Sequence, residues 1–333
     1  MVSLGARGIL LVVLAACCLA TPAQAAEPRP VAIWVPAAAD SLAARQITFL
    51  TKRIEERLPG RFAFDIQSGS VCPPEAELLA QIRDDRIDIA VMGDALIDEV
   101  PRLSLFRLPW LFVDRDHVQR ALYAGLEDEI RTRVESSLKL IVVGLYENGF
   151  RQIRADKAIL GPEDLVQRKI LVNEGRKMRD LLRSLGAIPQ KYPPQDAAEA
   201  MQRGIVDSFD GRLDTLLRLP IGDKAPVITL TRHVYEPTFV VASRKFWESL
   251  TNADRAALTE IGLDFSDTAA KLAVTYWDTL SKRMPRKIHL QAMAPDRFAA
   301  IANQHRAAYE RTYGSDWLDF VDLTREGEPV PER

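Results

Sequence analysis

Between Val31 and Val91, three short apolar runs alternate with two amphipathic helical patterns, and few architectures can bury such an alternation. Val31-Ala32-Ile33-Trp34-Val35 is β-branched, bounded by prolines, and reads as an opening strand. Leu42, Ile47, Leu50, Ile54 and Leu58 then recur near the helical period. Asp40 is placed to cap that helix, Lys52, Arg53 and Arg57 lie towards its end, and Gly60 follows it. Arg61 to Ile66 predicts a second strand. Pro73-Pro74 opens a helix with Leu78, Leu79 and Ile82 on one face, and Ile87 to Val91 predicts a third strand. Strands separated by helices argue for a parallel sheet covered by helices, an α/β fold. The ligand crevice of such a sheet lies at the carboxyl ends of its strands, here Trp34 to Asp40 and Met92 to Leu96. Asp94 is therefore a candidate ligand contact, although a loop aspartate also serves as a turn or cap residue.

The alternation returns further along. Leu138 to Leu145 is a continuous apolar strand, long enough to carry the chain from one lobe to the next. Leu165 to Asn173, Arg176 to Leu185, Ala197 to Gln202 and Ile205 to Phe209 then give strand, helix, helix, strand, and Phe239 to Ser243 reads as a buried strand returning to the first lobe. A chain of 333 residues exceeds what one core supports, so two lobes are expected. Two crossings predict a hinged protein that closes on a small ligand. Thr251-Asn252-Ala253-Asp254 caps a helical pattern running to about Arg283. At 1.5 Å per residue it would be about 45–50 Å long, enough to span both lobes. Leu105 to Val113 is an apolar segment, with Pro109, Trp110 and Phe112 assigned to the core. Pro295 to Tyr313 predicts a last amphipathic helix. The expected division is 26–148 with about 237–276 as the first lobe, 149–236 with about 277–322 as the second, and 323–333 as a disordered tail.

At the N-terminus, Arg7 precedes the apolar run Ile9 to Leu19, and Thr21-Pro22-Ala23-Gln24-Ala25-Ala26 completes a secretory signal over residues 1–25. The run is shorter than the roughly 20 residues that span a bilayer. Leu14-Ala15-Ala16-Cys17 also resembles a lipobox, which would tether the protein through Cys17; simple cleavage is preferred because Ala23-Gln24-Ala25 is well formed. Cleavage leaves Cys72 alone, a thiol without an internal disulfide partner and read as structural. A net charge of -2 with 27% charged residues carries no nucleic-acid signature. The four histidines are scattered, with no paired metal-ligand spacing, and there is no nucleophile elbow, P-loop or dinucleotide fingerprint. Neither an enzyme nor a cofactor is expected.

Five fragments stand in order across the central third: Asn148-Gly149-Phe150-Arg151-Gln152, Pro162-Glu163-Asp164-Leu165, Leu185-Gly186-Ala187-Ile188-Pro189, Ala200-Met201-Gln202-Arg203-Gly204-Ile205-Val206-Asp207, and Thr231-Arg232-His233. In order and spacing they resemble the substrate-binding proteins of tripartite ATP-independent periplasmic (TRAP) transporters, and the resemblance covers Ala32 to Tyr313. It implies a two-lobed periplasmic-binding-protein-like fold with hinge strands and a long lobe-spanning helix. It further implies a monomeric extracytoplasmic receptor that captures a small metabolite, an organic acid first, for membrane permease subunits.

The departures from that family fall at the ligand position. Where the family carries an arginine clamping the substrate carboxylate, this sequence reads Gln167-Arg168-Lys169-Ile170-Leu171-Val172-Asn173, which puts Leu171 at the clamp. Strand alternation places Lys169 and Asn173 on the face of Leu171 and Arg168 on the other. Glu174 stands near a usual polar contact, and Gly211 takes the family's asparagine place in Asp207-Ser208-Phe209-Asp210-Gly211-Arg212. Two readings stay open. Arg151 and Arg212 together supply the missing cation and keep an organic acid as ligand, or the ligand is neutral or carries an amino group facing Glu174 or Asp210. A sensory or scaffold protein that has lost its transport ligand is the rival of another class. For single residues the structural alternatives are a helix cap at Glu174, an interlobe ion pair at Arg151 and a backbone bond near the hinge at His233. The expected ligand-binding set is Asp94, Arg151, Leu171, Asn173, Glu174, Asp210, Arg212 and His233.

Overall fold

The structure is a computed structural model that describes residues 27–69, 72–172 and 175–326. The expected signal segment with Cys17, the candidates Asn173 and Glu174, and the tail beyond Glu326 lie outside the described residues.

The opening alternation folds as β1 (Arg29–Val35), α1 (Leu42–Arg57), β2 (Phe62–Ser68), α2 (Glu75–Arg83) and β3 (Ile89–Met92). β1 lies between β2 and β3 and is parallel to both, with Ile33 opposite Ile66 on one side and Ile89 on the other. The cap of α1 differs from the expectation. Ser41 Oγ accepts from the Ala44 amide at 3.3 Å, while Asp40 is bonded at 2.6 Å to Arg218, far along the chain. A serine immediately before the first helical residue is well placed for that bond.

β4 (Ile141–Ala155) is longer than the predicted strand and belongs to both lobes. Its first half pairs antiparallel with β9 (Tyr235–Ala242), which itself lies against β3. Its second half pairs with β7 (Ser208–Arg212) and β8 (Val227–Leu230), putting Arg151 opposite Arg212. A register shift between Glu147 and Phe150 marks the exchange of partners. Gly149 sits inside it at φ +96°, a conformation that L side chains rarely adopt, with Trp277 so close that a Cβ would stand 2.8 Å from the indole. The second lobe continues the sheet through β5 (Lys169–Leu171) and β6 (Ile188–Gln190), the latter a strand within the Leu-Gly-Ala-Ile-Pro fragment. α6 (Arg176–Ser184), α7 (Ala197–Gln202) and α8 (Leu213–Arg218) connect these strands.

α10 (Asn252–Lys282) has 31 residues, about 46 Å at helical rise, and its first turn is capped by Thr251, whose Oγ1 accepts from the Asp254 amide. Near its middle Phe265 meets Tyr146 edge-on at 5.1 Å and Gly262 lies against the Val143 carbonyl; further along, the Tyr276 hydroxyl donates to Asp214 in α8 at 3.1 Å. One helix thus braces both halves of the sheet.

Four apolar clusters fill the molecule. Two flank the first lobe's strands, one under α1 and α10, the other under α2 and the turns around Phe106. Two flank the second lobe's strands, and β5 feeds both by simple alternation: Ile170 and Val172 enter one, Leu171 the other. The C-terminus departs from the expectation. After α11 (Ala299–Tyr313) comes a further helix, α12 (Asp316–Leu323), whose Trp317, Leu318 and Val321 are fully buried in the first lobe's cluster beside Phe106 and Val134. The expected tail therefore starts too early: Leu323 is helical, and the Thr324 carbonyl accepts from Arg120 Nε at 2.9 Å.

Candidate functional site

A cavity of about 170 Å³ opens where the strands of the first lobe end against the second. Val35-Pro36-Ala37 leave β1 there, Met92-Gly93-Asp94 leave β3, and Glu75 starts α2. Arg107 enters from the end of the 3₁₀ turn Pro101–Arg107, Asn148 from β4, Arg212 from the end of β7, and Glu236-Pro237-Thr238 from β9. The crevice is thus at the carboxyl ends of β1 and β3, the place the parallel sheet dictates.

Its walls hold a chain of charges. Arg151 is fully buried and sits behind the cavity, with Nε and Nη2 both 2.5 Å from Asp210 Oδ1 and Nη1 bonded to Glu236 Oε1. Arg212 reaches the other Glu236 oxygen at 2.8 Å, and Asp214 stands 3.6 Å from its Nε. His233 Nε2 is 3.2 Å from Asp210 Oδ2, and its Nδ1 is 2.8 Å from the Thr231 hydroxyl. Across the cavity Arg107, also buried, is paired with Asp94. Burial alone would raise Asp210 and Glu236, but the guanidiniums outweigh it. Arg151 with His233 holds Asp210 below the usual carboxylate range, and Arg151, Arg212 and Arg107 hold Glu236 well below it.

Glu75 is the exception. One of its carboxylate oxygens accepts from the amides of Gly93 and Ala95, each at 3.0 Å, where α3 (Asp94–Glu99) begins. Burial, followed by the neighbouring Asp94, pushes its pKa up to about 7 despite those two bonds.

The expected residues separate into groups. Asp94 and Arg212 line the cavity. Arg151, Asp210 and His233 are brought together directly behind it as one buried network. Leu171 is elsewhere: only 4% exposed, it packs with Phe209, Leu216 and Ala200, and it is not among the residues lining the cavity. Sequence reasoning missed Glu75, Arg107 and Glu236. Glu75 carried one usable signal, its place in the first turn after Pro73-Pro74, at the end of a loop between two parallel strands; Arg107 and Glu236 carried none.

Further contacts join the two lobes. Asp98, in α3, accepts from the amides of Arg176 and Lys177 at 2.7 and 3.2 Å and so caps α6 from the opposite lobe. Lys177 Nζ is bonded to the Ile97 carbonyl, and burial lowers its pKa to about 8. Trp110 Nε1 donates to the Thr231 carbonyl at 2.9 Å, and its ring stacks on Phe298. Cys72 lies nearby with its thiol bonded to the Val35 and Gln67 carbonyls, and burial pushes it up, as a structural thiol requires. Among the described residues no acidic, histidine and cysteine cluster could hold a metal, and no helix is long and apolar enough to cross a membrane.

Comparison with known proteins gives a consistent result. The model of the family described as "Bacterial extracellular solute-binding protein, family 7" matches residues 36–315. The C4-dicarboxylate-binding periplasmic protein DctP of Shewanella loihica is 24% identical over 281 residues, 82% of this chain and 83% of that protein. Among solved structures, a TRAP periplasmic solute-binding protein from Shewanella oneidensis with bound succinate superposes with a TM-score of 0.78, at 19% identity, covering 90% of this chain and 100% of that one. A TRAP periplasmic solute-binding protein from Sulfitobacter sp. NAS-14.1 with bound β-D-galacturonate gives 0.75 at 18% identity, with the same coverages.

Proposed function

This chain belongs to family 7 of the bacterial extracellular solute-binding proteins, and from that premise we propose that it captures a small organic acid between its lobes and delivers it to a TRAP-type membrane permease. The observation that carries the reading is the interlobe cavity, where Arg107 from the first lobe and Arg212 from the second face one enclosed space. Guanidiniums present a planar pair of donors that matches a carboxylate. Arg212 is the ligand-facing cation, and Arg151, held by Asp210 and Glu236, fixes the position of the carboxylate that holds Arg212. Leu171 takes no part in the anion contact. The related proteins whose structures hold succinate and β-D-galacturonate support an acid of similar size.

The protein performs no chemistry of its own. Binding energy closes the lobes, and the permease reads the closed form. It acts as a monomer in the periplasm, exported by the segment over residues 1–25. The first lobe comprises 26–148 with about 237–276, and the second 149–236 with about 277–315, while the C-terminal helix Asp316–Leu323 packs into the core of the first.

The test is a thermal-shift screen of organic acids, succinate and galacturonate included, followed by calorimetry. An acid at 100 times its Kd should stabilise the protein by about 2.7 kcal/mol. Arg212→Ala should weaken that acid at least tenfold. A screen in which no acid raises the melting temperature, while an amine or neutral sugar does, would overturn the reading.

A further inference from the structure

Among the described residues, each guanidinium at the cavity that this reading assigns to an organic anion already has a carboxylate partner. Arg107, Arg151 and Arg212 are already matched by Asp94, Asp210 and Glu236, with Asp214 3.6 Å from Arg212 Nε. His233 faces Asp210 and the Thr231 hydroxyl. Lys177 and Asp98, beyond Arg107, are engaged with Ile97 and with the start of α6. Glu75 is left over. It lines the same cavity, it has no guanidinium partner among the described residues, and the charges that act on it most, Asp94 and Glu236, are both acidic. An ionised Glu75 would thus add to a surplus of negative charge where an anion must enter, at short range. Its two backbone bonds from Gly93 and Ala95 fall on one oxygen, which leaves the second free to carry a proton and to donate it into the cavity.

Resting on the acid-binding reading, we propose that the cleft takes up one proton on Glu75 together with each organic anion it binds. Glu75 is then the protonated donor that contacts the acid, and receptor occupancy follows pH as well as ligand concentration. The balance is simple: free receptor, anion and a proton from solvent give the closed complex with a neutral Glu75. Desolvation and the neighbouring Asp94 push the Glu75 carboxyl up to about 7, which places the change in the neutral range, and a bound anion pushes it further up.

The experiment measures calorimetric binding of succinate and galacturonate from pH 5.5 to 9 in buffers of different ionisation enthalpy, with the carboxyl carbons of ¹³C-glutamate-labelled protein titrated in parallel. The wild type should take up close to one proton per anion above pH 7, and its Kd should rise about tenfold per pH unit there. In Glu75→Gln, which keeps the acceptor for Gly93 and Ala95, Kd should be flat over the same range. The carbon resonance missing from Glu75→Gln should titrate near neutrality and move up when acid is bound. A pH-independent wild-type Kd, or a Glu75→Gln variant that keeps the wild-type slope, overturns the proposal. If neither acid binds at any pH, the acid-binding reading is the one that fails on these probes. The carboxyl titration then decides on Glu75 by itself, and a midpoint below pH 5.5 refutes it.

Discussion

At the scale of single residues, the buried pairs set the chemistry of the cleft. Removing the guanidinium in Arg151→Ala takes from the buried Asp210 and Glu236 the cation they share. Breaking a buried pair from one side typically destabilises by about 3–5 kcal/mol, so the variant should lose that much in urea denaturation before any effect on ligand is read. Leu171→Arg would push a charge among Phe209, Leu216 and Ala200, and should lower the melting temperature without improving acid binding. The titrating groups fix a pH profile whose sign follows from their shifts. Glu75 and Glu147 are both pushed up to about 7 by burial, so the folded state holds protons that the unfolded chain releases near 4.5. Their contribution is complete below about pH 4.5 and disappears as the pH rises through about 7. Asp210 and Glu236 are held low, so theirs is present above about pH 4 and disappears on further acidification. The melting temperature of the ligand-free protein should therefore fall between pH 5 and 7.5, and that fall should be reduced in the double variant Glu75→Gln, Glu147→Gln.

At the scale of elements, what was legible in the sequence is what local periodicity encodes. The alternation from Val31 to Val91 and the helix at Asn252–Lys282 with its Thr251 cap stand where apolar spacing and capping residues put them. What was not legible depends on partners distant in the chain. The cap of α1 went to Ser41 because Asp40 found Arg218 178 residues away. Strand alternation gave Leu171 a face correctly, but only the packing of α7 and α8 decides that this face is core rather than cleft. Arg107 and Glu236 join the site through a 3₁₀ turn and the return strand, and no local pattern marks Arg107 as the partner of Asp94 or Glu236 as that of Arg151. The contact between α10 and β4 is equally non-local. A Cβ at Gly262 would stand 2.0 Å from the Val143 carbonyl, which cannot be relieved by a rotamer change. Gly262→Ala should therefore destabilise by about 1–3 kcal/mol, read as a lower melting temperature, despite alanine's better helix propensity.

At the scale of the molecule, two strands join the lobes and a few contacts hold them together across the cleft. Asp98 is the most specific of these, since it caps α6 from the other lobe and so links closure to a helix terminus. Asp98→Ala should remove about 0.5–2 kcal/mol from the closed form. Small-angle scattering should show a larger radius of gyration for the ligand-free variant, and acid affinity should drop by about two- to thirty-fold at unchanged Arg212 chemistry.

The burial of Trp317, Leu318 and Val321 in the first lobe has a consequence in time. The ribosome makes the strands of that lobe first and the helix that completes its core almost last. Until some 320 residues have been synthesised, the apolar cluster around Phe106 and Val134 lacks the three side chains that complete it.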